Sequence, residues 1–517
     1  MKKLAFLLVV LMALPVCVRA GDVTISGTLE FNAIHRENVN DWSDNPSDID
    51  LIPPFGLVTI PHQGPNGLLG DADDGQDDQE NFVDVYVEID ITAELVDNVM
   101  AKVQLGNSRH ATDRFGEDGF VLEVKEALVQ MKEFVVPELT ATLGLMNVAY
   151  ALRDDGNYFL INTKESFNLG QDPTDYGIDV GGVLFNIDLQ PLSFDAGWVR
   201  ALDGGTTGAY VDMYLAGMHY FFPDEKSYLQ LLAVNVHDNS NTAAVTYDDV
   251  LKEYPTYVGA PFLDSYQGIV ESSDWWALSA GLQYFLDVGA AELELYGEAV
   301  WELGDYSDSD VNNPYKAVFD QDDSVDMDAF GGRVGAELTF ADAAMKPTIG
   351  VSYWYRSGDS DPGDDDQENF VSYGKTVETL IAEDALYGYN LNTNYEAWRI
   401  SLAVDPVECL TVKLQYNDFT IVEDNFEQGL IPPRPVFGAP PLVFTNFDSE
   451  DEFGQELDLT ATYTYSENVT MMLGVGMLWP DDNITGNPRL GRRDNIFDDS
   501  GDDDEAFLVD FRTVVTF

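Results

Sequence analysis

From Val83 to Leu95 the chain alternates without a break. Val83, Val85, Val87, Ile89, Ile91, Ala93 and Leu95 make one set; Asp84, Tyr86, Glu88, Asp90, Thr92 and Glu94 make the other. A period of two places the sets on opposite faces of a β-strand, one toward an apolar medium and one toward a polar medium. The stretch Ala506–Phe517 repeats the pattern, with Phe507, Val509, Phe511, Thr513, Val515 and Phe517 set against Leu508, Asp510, Arg512, Val514 and Thr516. Similar segments, bounded by Gly, Pro, Asn and Asp, predict strands near 23–35, 83–95, 100–106, 120–134, 138–147, 176–189, 191–201, 209–222 and 227–237. Others are predicted near 273–286, 291–304, 327–340, 346–356, 395–406, 410–420, 452–465, 469–479 and 505–517. The total is about 18 strands.

The connections decide how these strands are arranged. Short ones at 96–98, 135–137, 223–226, 287–290, 341–344, 407–409 and 466–468 alternate with long ones at 36–80, 148–175, 238–272, 305–326, 357–394, 421–451 and 480–504. A soluble β-sandwich seldom keeps such alternation over so many hairpins. A transmembrane barrel does, with short turns on the periplasmic side and long loops outside. Beyond the N-terminal apolar run, no segment holds the ~18 uninterrupted apolar residues of a membrane helix. A chain that crosses a bilayer without such helices must do so with closed strands, so that no backbone edge faces lipid. The expected fold is therefore all-β: a transmembrane antiparallel β-barrel of about 18 strands with short periplasmic turns and long acidic extracellular loops.

At the start, Lys2 and Lys3 precede the apolar run Leu4–Leu14, and Val18-Arg19-Ala20 precedes Gly21. This reads as a secretory signal peptide over 1–20, leaving 21–517 as an outer-membrane barrel domain. Of the 2 Cys, Cys17 leaves with that segment and Cys409 stays, so no disulfide framework is expected. The formal net charge of −66 argues against nucleic acid as a partner.

The amphipathic strand ending on Phe517 resembles the C-terminal strand of Gram-negative outer-membrane barrels. In those proteins it closes the barrel and is read by the assembly machinery. The stretches Glu126–Met131 and Leu139–Gly144 resemble the paired strands before the constriction loop of porins, and also the alginate-export barrels. The porin resemblance implies the outer membrane as location, lipid as surroundings, and passive diffusion of small hydrophilic solutes or ions. It implies no cofactor, and it leaves a homotrimer open because trimers are common among porins. An alginate-export-like channel for an anionic polysaccharide and a non-conducting surface scaffold are the alternatives.

A barrel of this strand number leaves an aqueous channel, so function rests on what faces inward. Alternation assigns Asp84, Glu88, Asp90 and Glu94 of one strand, and Glu292, Glu294, Glu298 and Glu302 of another, to the interior. Lys102, Arg333, Arg356, Arg399, Lys413 and Arg512 supply the opposite sign. One reading is mutual neutralisation across strands; the other is a charged eyelet that selects solutes. The acidic excess predicts a preference for cations. The loop 147–176, less acidic than the rest and carrying Arg153, Asp154, Asp155 and Lys164, is the candidate constriction. Two other loops share the heptad Asp-Asp-Gln-Glu-Asn-Phe-Val, at 77–83 and 365–371. Acid in the long loops reads either as a solvated surface or as a site for Ca²⁺ or Mg²⁺. No loop has the ligand spacing of a dedicated Ca²⁺ loop. No Gly-x-Ser-x-Gly, His-Glu-x-x-His or Cys/His metal pattern is present, so no catalytic residue is expected.

Overall fold

The computed structural model describes residues 23–37, 79–106, 123–146, 180–203, 210–224, 226–238, 270–308, 324–358, 360, 366–368, 370, 379–383, 391, 394–423, 430–431, 442–443, 452–480 and 505–517. The N-terminal segment 1–20 and the constriction candidates Arg153, Asp154, Asp155 and Lys164 lie outside these residues.

Eighteen long strands form one closed antiparallel barrel. They are β1 (Val23–Glu37), β2 (Gln79–Val96), β3 (Val99–Gly106), β4 (Glu123–Met131), β5 (Leu139–Met146), β6 (Val180–Asp188), β7 (Leu192–Asp203), β8 (Tyr210–Phe221) and β9 (Tyr228–Asp238). The second half comprises β10 (Val270–Val288), β11 (Ala291–Asp308), β12 (Ser324–Thr339), β13 (Thr348–Arg356), β14 (Tyr395–Val407), β15 (Leu410–Ile421), β16 (Glu452–Ser466), β17 (Val469–Pro480) and β18 (Ala506–Thr516). Each strand pairs with its sequence neighbour, and β1 pairs with both β2 and β18, which removes every free edge. At the seam Phe517 N–H donates to Gly27 O and Gly27 N–H donates to Phe517 O, both at 3.0 Å. A Cβ on Gly27 would lie 2.3 Å from Glu88 O and 2.7 Å from the Phe517 ring, so the closing contact needs glycine there.

The alternation seen in the sequence is the alternation of the wall. Leu278, Leu282, Leu295 and Trp301 point out and are exposed, whereas Ser279, Gln283, Glu294 and Glu298 point in and are buried. Outward aromatics gather toward the strand ends. Tyr353 and Trp398 pack with ring centroids 4.9 Å apart, and Tyr463 and Tyr465 lie 6.5 Å apart at the opposite end. Ring faces turned to lipid with polar tips at the interface are the arrangement a bilayer favours. Trp275, by contrast, points inward and is 1% exposed. A shallow outer groove of about 550 Å³ between β8 and β12, lined by Ala216, Leu231, Leu278, Ala280, Ala299 and Trp301, faces the lipid side rather than the interior.

The interior is not uniformly polar. On β7–β12 the inward positions near the long-loop end are Val199, Met213, Leu215, Leu232, Val234, Val236, Trp275, Ala277, Val300, Met327 and Ala329, all buried. Sequence alternation could not reveal this patch, because a strand apolar on both faces shows no period of two.

The shared heptad adopts two structures. Its first copy runs into β2, where Gln79 and Glu80 pair with β1. In its second copy Asp366–Gln367 forms a two-residue parallel bridge to Asp326 and Met327 of β12, and Phe370 is buried. Neighbours, not the local sequence, decide between them.

Candidate functional site

The inner wall of β1–β4 carries a cross-strand polar network. Lys102 of β3 sits between Asp90 of β2, at 3.1 Å, and Glu126 of β4, at 2.5 Å. Gln104 donates to Asp90 Oδ1 at 3.0 Å, and Tyr86 Oη donates to Glu88 Oε2 at 2.8 Å. Across the seam Arg512 approaches Glu30 at 3.5 Å, and on its own strand it approaches Asp510 at 3.3 Å. The strand periodicity places these groups side by side, since residues opposite each other in register share one face. Asp84 occupies the register position opposite Asn32.

On β11 the inward positions are Glu294, Tyr296, Glu298, Val300 and Glu302, all buried. Gln283 donates to Glu294 at 2.8 Å and Ser279 donates to Glu298 at 2.9 Å. Glu292 lies nearer the short-turn end, where it pairs with Lys226 at 2.5 Å. The column of acid is interrupted by aromatic and aliphatic positions, so it is not a continuous charged stripe.

The cations divide into groups. Arg333 of β12 and Arg399 of β14 stack on opposite sides in sequence of the same indole, with their guanidinium carbons 4.8 and 4.4 Å from the Trp354 ring centroid. Arg333 also lies 5.5 Å from the Tyr296 ring. Arg356 of β13 lies 5.2 Å from the Tyr395 ring and 5.9 Å from Phe370. Planar, weakly hydrated guanidinium groups suit such stacking better than an ammonium does. Lys413 sits lower on β15, beyond Gln415 and Asn417 from this cluster, and Lys102 and Arg512 belong to the opposite network.

The connection between β13 and β14, read from the sequence as one of the external acidic loops, sends a segment into the barrel. Thr379, Ile381, Ala382 and Glu383 are buried. Ile381 N–H and Ala382 N–H donate to the two carboxylate oxygens of Glu456 on β16, at 2.7 and 2.9 Å. Glu383 pairs with Arg399 and accepts the Tyr395 hydroxyl at 2.5 Å. Thr379 Oγ1 accepts Glu383 N–H at 3.0 Å and closes the segment on itself. Two signals in the sequence mark it: the apolar run Leu380-Ile381-Ala382 within a long acidic loop, and the acid pair Glu456 and Asp458 on an inward face. Alternation alone singles out neither, because it treats everything between strands as loop.

A closed barrel with an apolar outer band and charged groups on its inner face is a porin-like outer-membrane barrel. Residues 271–490 match the model of the alginate export family, less than half of the chain. That span includes Arg333, Arg399 and Glu456 but not Glu126–Met131 or Leu139–Gly144. No curated protein matches the sequence. Among solved structures, OccK8 (OprE) of Pseudomonas aeruginosa is similar at 11% identity and a TM-score of 0.48, over 96% of this chain and 98% of that one. A BenF-like porin from Pseudomonas fluorescens gives 9% and 0.47, again over 96% and 98%. The Pseudomonas aeruginosa OpdK structure with vanillate gives 10% and 0.45, over 95% and 98%. The fold assignment rests on the chain's own strand pairings.

Proposed function

We propose that the chain is a passive diffusion channel for small hydrophilic solutes and ions, with a preference for cations and no catalytic role. The observation that carries this is the charge balance of the inner face. Glu30, Glu88, Asp90, Glu126, Glu294, Glu298, Glu302, Glu456, Asp458 and Asp510 outnumber Lys102, Arg333, Arg356, Arg399, Lys413 and Arg512. Lys102, Arg399 and Arg512 stand beside carboxylates in ion pairs. The excess field of a low-dielectric passage concentrates counter-ions of the opposite sign. Reversal potential in a planar bilayer under a KCl gradient tests it: cation preference is expected, and anion preference overturns it.

A second reading is an exporter of an anionic polysaccharide. It is favoured by the gathering of Arg333 and Arg399 about Trp354 and by the alginate export match across the same strands. Anion preference would support it. A folded protein that conducts nothing would instead favour a scaffold whose interior is filled by its own loops. The segment 1–20 is proposed as a cleaved export signal, checked by N-terminal sequencing of the mature protein. Divalent cations on the acidic loops and a homotrimer are proposed as further partners. Calorimetric CaCl₂ titration and sedimentation in detergent test them, with no heat and a monomeric mass as the contrary results.

A further inference from the structure

Glu456 is in an unusual position for a carboxylate on a pore wall. It is 0% exposed, and it accepts two successive backbone N–H groups from a segment that belongs to no strand. Two charge-assisted bonds from neighbouring amides define both the position and the orientation of that segment. In the barrel's hydrogen-bonding register Glu456 stands level with Asn417 and Arg399, so the anchor and the Arg399–Glu383 pair hold the segment at one height.

The wall beneath the segment is cut to receive it. Gly474 and Gly476 of β17 face inward, and a Cβ on Gly474 would meet the Leu380 methyl carbons at 3.1 and 3.2 Å. A Cβ on Gly476 would meet Asp458 Oδ1 at 2.9 Å, Leu380 Cβ at 3.0 Å and Ile381 Cγ1 at 3.2 Å. Two glycines two apart remove side chains from one face of the strand at the place where the Leu380 and Ile381 side chains lie. The seat and the anchor come from different strands and act on the same five residues.

We propose that Glu456 is a positioning residue for the channel: its carboxylate latches Thr379–Glu383 against the Gly474–Gly476 seat and so narrows the passage. The aperture part of this inference rests on the channel reading above; the latch does not. The segment is held by polar bonds and by the burial of Ile381 and Ala382, not by a strand ladder. It is thus a removable element on a permanent wall, and Glu456 is the group whose loss frees it.

The test uses a chain beginning at Gly21, with Cys409→Ser to remove the remaining native thiol and Ile381→Cys as a reporter, refolded in detergent. Barrel closure is checked by heat-modifiable migration on gels. Residue 381 is buried, so the parent should react slowly with a maleimide. Glu456→Ala should raise the labelling rate on the order of 100-fold, from the loss of two hydrogen bonds to a charged group, and should raise single-channel conductance. Gly476→Val, which fills the seat and keeps the carboxylate, should do both by an independent route. Glu456→Asp should give intermediate values. Unchanged labelling in both Glu456→Ala and Gly476→Val overturns the latch. Faster labelling with unchanged conductance overturns the narrowing role and leaves the channel reading intact. Faster labelling with no conductance in any form, parent included, sinks the channel reading while supporting the latch.

Discussion

Replacing Arg399 by Met tests how the interior balances its charge. The Arg399 side chain is 4% exposed and its partner Glu383 is 0% exposed, so the pair is cut off from water. Met keeps much of the volume and removes the charge. Glu383 then retains the Tyr395 hydroxyl as a donor, but its charge is uncompensated. Leaving one member of a buried pair alone costs about 3–5 kcal/mol, and the lost stacking on Trp354 adds ~1–2 kcal/mol. The loss is capped by the docking energy of Thr379–Glu383, because once that segment leaves, Glu383 reaches water. Equilibrium urea unfolding in detergent, followed by Trp fluorescence, should therefore show destabilisation of about 3 kcal/mol, the low end of that range. The double variant Glu383→Gln with Arg399→Met should recover roughly 2 kcal/mol of it, because neither partner is then charged. Additive costs, or a single-variant loss below ~1 kcal/mol, would refute the claim that these two charges depend on each other.

Other expectations address the seam, a turn and the long loops. Gly27→Val forces a side chain into Glu88 O and the Phe517 ring, so the heat-modifiable, closed form should be lost or strongly reduced; normal closure would sink the account of the seam. In the β8–β9 turn the Ser227 hydroxyl and N–H hold the Asp224 carboxyl below its ordinary range. A depressed carboxyl gives stability that is present above its unfolded value and is lost as pH falls through its folded value. Asp224→Asn should therefore speed hydrogen exchange at Ser227 N–H at neutral pH, and variant and parent should converge in acid. Deleting 153–164 should raise single-channel conductance if 147–176 narrows the pore, and unchanged conductance would count against that loop.

Most of the wall was legible in the sequence. A strand with lipid on one face and charged groups on the other alternates, so Val83–Leu95 and the 291–304 stretch declared themselves as strands. Strands that cross a bilayer without a membrane helix implied closure, because an open edge would face lipid. The eighteen strands lie close to the expected segments, differing mainly at the ends, where twist and neighbouring loops set the last bonds.

The interior was not legible to the same degree. Periodicity assigns a side chain to a face, but it does not say which residues of distant strands meet there. Arg333 and Arg399 come together on Trp354 because β12, β13 and β14 are adjacent in register. Glu456 finds Ile381 and Ala382 across a separation of about 75 residues, through amides that carry no side-chain signature. Where both faces are apolar, as at Leu231–Val234, the period disappears and the inner wall cannot be read at all. The sequence alone determined that this chain makes a closed wall between two media, since each strand carries its own solvent pattern. Only the tertiary structure decided how the passage inside is filled and which charges share it, since those contacts depend on register between strands and on a loop returning through the barrel.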